Sequence, residues 1–407
     1  MRSGRNRRNV RIEQIRTSEA NGRARVGAAV VWEDSDRPAQ EIYFETPTTF
    51  AGALTTDHDA FVLGAVMPAY WHNERRLAVA GSLCPVLHDG LRVAMALLRE
   101  WRGLARPPLI VEGTPRTVVS RTPDRAGSFF SGGIDALATL RGNRLHYPRD
   151  HPASIRDGII VYGLEVEQPE AFEKVLDNLA PIARDADVTL IPVYTNVRAL
   201  EPSWIFWHEV SLGSICAAIA HALKRRLTLA YLGSSADIPH LDPPTGTHPL
   251  LDSNYTSGDL TFRHDGIALS RLSKARLVAD WPIALDHLRV CNKVGAYRRG
   301  ALNCGRCEKC VRTQLALLCA GALDRTSAFQ SVDLSEAAVG AAIFSESAYR
   351  SYQELIEPLR AIGRGDLARL AARKVARSRG RDWRVHLARI DSRYLGGNLS
   401  RIKRALS

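Results

Sequence analysis

The sequence predicts an α/β protein whose centre is a doubly wound parallel sheet. Three observations carry this reading. From about residue 119 short apolar runs alternate with helix-length stretches, strand then helix; the runs are apolar throughout, as strands buried on both faces require; and a Gly-Gly turn follows the first of them. The four strand runs are GSFF (127–130), GIIVYGL (158–164), VTLIPVY (188–194) and LTLAYLG (227–233). Between them lie PEAFEKVLDNLAPIARDA (169–186) and WIFWHEVSLGSICAAIAHALKRR (204–226), which read as helices. Such a sheet takes its ligands beyond the carboxyl ends of its strands.

Ahead of this unit, residues 1–118 alternate the strand-like pieces ARVGAAVVWE, EIYFET, RLAVAG and LIVEG with helical ones, an α+β pattern. In PVLHDGLRVAMALLREW the residues Leu87, Leu91, Met95, Leu98 and Trp101 recur every three or four positions and fall on one helix face. This region carries no chemical motif, and the expectation is a packing or substrate-facing module. The expected division is an amino-terminal α+β domain over 1–118, the parallel-sheet domain over 119–330 and a mainly helical basic region over 331–407.

The turn Ser131-Gly132-Gly133-Ile134-Asp135 is the first candidate site. Two glycines let the main chain bend tightly and approach an anion, and the helix that starts near Asp135 aims its free N–H groups at the bend. Ser131 adds a hydroxyl, and Asp135 is suited either to hold Mg²⁺ on a bound phosphate or to orient the loop. The Lys of a Walker loop is missing, so a grip on a γ-phosphate of that kind is not expected. A plain strand-to-helix turn without ligand is the competing reading.

These five residues resemble the SGGxDS pyrophosphate loop of the PP-loop, or N-type ATP pyrophosphatase, superfamily. The resemblance implies ATP with Mg²⁺, cleavage to AMP and pyrophosphate, and adenylation of a carboxylate or carbonyl before a nucleophile attacks. Ala136 departs from the pattern, in which Ser is usual. One hydroxyl donor is lost, at about 1–3 kcal/mol if that bond is charge-assisted. By the same resemblance Gly233, Ser234 and Ser235, after the fourth strand, correspond to a small-residue nucleotide loop, with Asp237 beside it. Lys274 in SRLSKARLVAD is placed like a phosphate-contacting lysine. Helix capping by the serines and an exposed lysine at a helix start are the simpler alternatives.

Four of seven cysteines crowd into CNKVGAYRRGALNCGRCEKC. Cys291, Cys304, Cys307 and Cys310 offer four thiolates, and the two-residue gaps around Gly305 form a tight knuckle suited to tetrahedral Zn²⁺. With every position filled by sulfur no site stays open for water, so the expected zinc is structural; free cysteines in a buried helix and iron–sulfur ligation are the competing readings. Arg306, Lys309 and Arg312 flank the knuckle and either face the nucleotide or form a solvated surface. A PP-loop followed by such a knuckle resembles the 7-cyano-7-deazaguanine synthases of queuosine-precursor synthesis over about residues 126–325. That resemblance implies an ATP-dependent carbon–nitrogen ligase with Asp135 and Lys274 at its centre, a small-molecule or protein-borne carboxylate as substrate, and ammonia or an amine as donor. The gap between the first two cysteines is longer than that family's, and residues 1–118 and the basic tail have no counterpart in it.

Composition and charge bound the rest. With 45% hydrophobic and 24% charged residues the 407-residue chain reads as globular, and no apolar run approaches the roughly 18 residues of a membrane span. The basic start MRSGRNRRNVR lacks the apolar segment of a signal peptide, and with cysteines spaced for metal the expectation is a cytoplasmic protein. From Arg364 onward thirteen Lys or Arg face three Asp, which suggests RNA as a partner or a solvated helical face. A homo-oligomer is compatible with all of this.

Among other residues, His248 reads as a general base or as a locally bonded loop histidine. His208-Glu209 is not a zincin motif because position 212 is Leu. Cys216 and Cys319 read as core, and Cys84 as a helix-start residue, which leaves no free thiol for sulfur transfer and favours nitrogen chemistry. An RNA-modifying enzyme acting on tRNA and a non-catalytic nucleotide-binding module remain as the other two functional readings.

Overall fold

The computed structural model describes residues 9–33, 35–118, 124–242, 244–293, 302–329, 332–341 and 346–379. Ala126, Gly127, Ser128 and Phe129 are buried without exception, as the central strand of a sheet covered on both faces must be. They form one of ten strands among the described residues: β1 (Asn9–Ala20), β2 (Arg23–Trp32), β3 (Gln40–Pro47), β4 (Arg76–Leu83), β5 (Ile110–Pro115), β6 (Ala126–Phe129), β7 (Ile155–Tyr162), β8 (Thr189–Thr195), β9 (Leu229–Gly233) and β10 (Thr261–Asp265). The order is β10-β9-β6-β7-β8-β3-β2-β1-β4-β5 in one sheet. Six of the nine neighbouring pairs are parallel, and β1–β2, β2–β3 and β3–β8 are antiparallel.

Helices cover the parallel half on both sides. Leu137 and Leu140 of the helix Ile134–His146, Phe172 and Leu179 of Pro169–Asp185, and Leu272 and Val278 of Arg271–Ala279 share one apolar cluster. Ile215 and Ile219 of Leu212–Ala222 join Phe129, Ile159 and Phe262 in the cluster on the other face. From β6 the chain crosses to β7 on one side, while β9 lies on the other, so the winding reverses between β6 and β9. The carboxyl ends of these two strands therefore flank a crevice, the usual ligand position in such sheets.

The amino-terminal strands extend this same sheet, because Phe44 and Glu45 of β3 pair with Thr195 and Tyr194 of β8. The boundary expected near residue 118 falls within a continuous sheet. Val10, Ile12, Val26, Val30 and Phe44 face inward onto the helix His58–Trp71. On the opposite, polar face Arg25 pairs with Glu45 and its guanidinium lies 3.9 Å from the Tyr43 ring centre. A buried charge network also links the two halves. Asp59 and Asp259 share Arg116 and Lys224, and Asp59 Oδ2 lies 2.7 Å from Arg116 and 3.0 Å from Lys224.

Around His248, read from the sequence as a loop histidine, residues 244–258 contain the short helical turns Pro249–Asp252 and Ser253–Tyr255. After the knuckle, the helices Leu334–Gly340, Glu346–Ala361 and Gly365–Arg379 agree with the expected helical region. Most of the basic tail that suggested RNA, residues 380–407, lies outside the described residues. Among the described residues no helix is long and apolar enough to cross a membrane.

Candidate functional site

At the β6 end of the crevice the two glycines differ in what they do. Gly132 has φ +77°, and a Cβ there would lie 2.6 Å from Leu179 Cδ2 and 3.3 Å from Arg289 Cβ, so the fold itself demands glycine. Gly133 has φ −79°, and its Cβ would meet only Ser131 Oγ at 3.4 Å and Arg289 O at 3.7 Å. Neither backbone strain nor packing explains the second glycine. Ser131 is exposed, with its Oγ accepting from Gly133 N at 3.3 Å. Ile134 and Ala136 are buried under the first turn, so only their main chain faces the loop.

Cations surround this turn. The Asp135 carboxylate pairs with Arg271 and lies 3.8 Å from Lys274 Nζ. Lys274 is buried and donates to Ser234 O at 2.6 Å; burial lowers its pKa, Asp135 opposes that, and Arg271 adds to it. Arg289, which the sequence did not single out, donates from its main chain to Gly132 O at 2.9 Å and from its guanidinium to Ser131 O at 3.1 Å. Arg312 is buried beside Glu308 at 3.1 Å, its pKa lowered by burial first and by the nearby Arg271 second. Of the three basic residues flanking the knuckle, Arg312 is thus turned inward, whereas Arg306 is two-thirds exposed. Four cations stand against Asp135 and Glu308, while Asp237 and Asp265, which also act on Lys274, lie against His240 and Arg263; the balance at the turn itself is positive and suits an anion.

The β9 side closes tightly on the same helix. A Cβ on Gly233 would lie 2.9 Å from Asp135 O, so glycine here lets the strand end touch the first helical turn. The Ser234 hydroxyl is spent locally, donating to Ala236 O at 2.7 Å and accepting from Ala236 N at 3.2 Å, while Ser235 is exposed. Asp237 pairs with His240. Around the same strand ends Trp204, Ile205, Ile238 and Leu250 are exposed apolar side chains.

The four knuckle cysteines converge. Their sulfurs all lie within 4.8 Å of one another, a group able to hold a metal ion. Cys291 and Cys307 are 3.7 Å apart and Cys304 and Cys310 3.9 Å. Hydrogen bonds from Cys307, then Cys310, hold the Cys291 thiol far below its usual range, and those two thiols are pushed up in turn. Gly305 makes the turn at φ +70°. Buried Asn303 staples the segment, accepting from Val290 N at 2.8 Å and Cys291 N at 3.2 Å and donating to Leu288 O and Ala328 O. Arg289, which grips the glycine turn, is two residues from Cys291. The knuckle therefore positions a loop contact through Arg289.

His248 caps the turn Pro249–Asp252, its Nδ1 accepting from Leu250 N at 3.1 Å, an arrangement of the locally bonded kind. Asp252 pairs instead with His264 of β10, Oδ2 to Nδ1 at 2.7 Å, and takes the Thr247 hydroxyl at 2.6 Å. Sequence reasoning missed His264, because a lone histidine in a five-residue strand carries no motif. The Cys216 thiol is fully buried and pushed up by burial, then by Asp252 and Glu165, which makes it unreactive. A cavity of about 410 Å³ beside β1 and β2, lined by Thr17, Thr55 and Arg225 among others, gathers none of these groups.

No protein family, curated protein or solved structure matches the chain.

Proposed function

We propose that this chain binds ATP with its phosphates over Ser131–Asp135 and uses it to activate a carboxylate or carbonyl as an adenylate. Ammonia or an amine would then displace AMP, as in a PP-loop carbon–nitrogen ligase. The observation that carries this is the cationic glycine turn at the point where the sheet winding reverses, with a second glycine that the fold does not need. The free N–H groups at the start of the helix Ile134–His146 would receive phosphate oxygens. Lys274 and Arg271 would neutralise charge as it develops on the departing pyrophosphate, and rate would come from positioning and preorganised charge rather than from a covalent enzyme intermediate.

Asp135 stands between two cations and so orients Arg271 and Lys274 in the free protein. As a ligand to Mg²⁺ carried by the nucleotide it must first release Arg271, which a phosphate can draw away. The knuckle fits Zn²⁺: a regular tetrahedron with Zn–S bonds of about 2.3 Å has sulfurs about 3.8 Å apart, close to the 3.7 and 3.9 Å observed. Bound there, zinc would supply folding energy and fix Arg289 against the turn.

The test is to incubate zinc-loaded protein with ATP, ammonium and a panel of carboxylates and to measure products. AMP with pyrophosphate supports the proposal. ADP would replace it with another phosphoryl chemistry, and ATP binding without turnover would make the chain a nucleotide-binding module, the reading that Ala136 favours.

A further inference from the structure

We propose that the chain has a second anion site, distinct from the glycine turn, that takes a free tetrahedral oxyanion of the phosphate class between Arg141, Arg144 and Arg149. These arginines line a cavity of about 160 Å³ with Asp185, Ala186 and Trp281. It lies on the helix Ile134–His146 but seven residues beyond its start, a rise of about 10 Å from the turn, toward the amino ends of the strands. A phosphate ion fits that volume, whereas a nucleotide does not.

Charge and hydrogen bonding point to an anion. Arg144 donates to Ala186 O at 2.9 Å, to Ser154 Oγ at 2.8 Å and to Ile155 O. Arg149 donates to the same Ala186 carbonyl at 2.6 Å and pairs with Asp187. The negative end of the helix Pro169–Asp185 is thus already covered by guanidinium groups. Asp185, the one acidic residue lining the cavity, accepts the Trp281 indole N–H at 2.7 Å. Arg141 differs from the other two. Its guanidinium lies 6.0 Å from the Trp281 ring centre, and its buried Nε has no hydrogen-bond partner among the described residues.

Three guanidinium groups against Asp185, which lines the cavity, and Asp187, which pairs with Arg149 from outside the lining, leave an excess of positive charge. Burial, then Arg149 and Arg156, lowers the Arg144 pKa to about 10, the direction that crowded positive charge dictates. A tetrahedral oxyanion supplies the missing negative charge and an acceptor for Arg141, and planar guanidinium forks match its oxygens.

The experiment titrates full-length G133A, whose turn is obstructed, with inorganic phosphate at constant ionic strength, using calorimetry. One phosphate is expected to bind per chain. Adding R141Q should weaken it at least tenfold, and adding D185N, which removes the competing negative charge but can still accept the Trp281 indole, should tighten it at least threefold. The gain in D185N cannot come from misfolding. Absence of phosphate binding in G133A, or affinities within twofold across the three proteins, overturns the site. Neither result depends on whether ATP occupies the glycine turn.

Discussion

Lys274 Nζ donates to the main-chain carbonyl of Ser234 at 2.6 Å, so one buried ammonium joins the helix Arg271–Ala279 to the loop after β9 while facing Asp135 across 3.8 Å. The lysine is held in place before any ligand arrives, and a preorganised donor loses little freedom on binding. K274A is expected to weaken binding of ATP or pyrophosphate at least tenfold, the effect of removing one charge-assisted contact of about 1.5–3 kcal/mol. It should also destabilise the fold by about 1–3 kcal/mol by leaving Ser234 O unpaired. Because burial lowers the Lys274 pKa, affinity should decline with rising pH sooner than an ordinary lysine would dictate. Calorimetric titration across alkaline pH measures both effects, and unchanged affinity in K274A would remove the lysine from the site.

The two glycines of the turn separate folding from binding. At Gly132, positive φ and the crowding by Leu179 predict that alanine costs about 1–3 kcal/mol or more. At Gly133 the ordinary φ and open surroundings predict a change in stability within about 0.5 kcal/mol. Its methyl group would nevertheless stand over the N–H groups that receive phosphate. G133A should therefore melt like the unmodified protein and lose nucleotide binding. Melting curves with and without ATP read both outcomes, and full ATP protection in G133A would contradict the proposed grip.

The parallel half of the fold was legible because strands buried on both faces must be apolar throughout. All four predicted runs became β6 to β9. β10 escaped because Thr261-Phe262-Arg263-His264-Asp265 is an edge strand with mostly polar residues. β1 escaped for a different reason: its charged outward positions, including Arg11 and Glu13, made it look like a basic terminus. The Asn21-Gly22 turn, with both φ values positive, marks a β1–β2 hairpin and was the available signal. At the site, Gly132, Gly133 and the four cysteines were readable from local spacing. Arg271 and Arg289 were not, since their approach to Asp135 and Ser131 depends on tertiary packing across more than 130 residues; Arg312 was named beside the knuckle, but which of its two readings holds also depended on that packing.

The knuckle predicts a link between metal and nucleotide. Cys291 and Cys310 are buried, and either changed to serine should reduce bound zinc from one per chain to under a tenth, measured by elemental analysis. Since Val290 and Cys291 share the Asn303 side chain and Arg289 holds the turn, loss of metal should loosen that grip. Chelator treatment is expected to lower the melting temperature and weaken ATP binding several-fold, and added Zn²⁺ should restore both. If ATP affinity survives complete zinc removal, the knuckle and the turn are independent.

Acid should unfold the protein in two steps set by neighbouring buried groups. Burial lowers the His221 pKa from 6.5 to about 4, against the opposing pull of Asp59 and of Tyr255 O, which its Nε2 meets at 2.9 Å. The folded state resists protonating this histidine, so stability falls as pH drops from 6.5 toward 4, by about 3 kcal/mol in total. For Asp59 burial acts upward, but Lys224, His221, the Cys84 N–H and Arg116 together outweigh it and lower the pKa from 3.8 to about 2. A depressed carboxylate stabilises fully above its unfolded pKa, so a further loss of about 2 kcal/mol should occur between pH 3.8 and 2. Urea unfolding at a series of pH values should show both slopes. H221Q should flatten the first and spare the second. D59N should abolish the second while costing about 3 kcal/mol at neutral pH, because it leaves Lys224 and Arg116 short of a buried partner. A first slope that persists in H221Q would assign the proton uptake to another group.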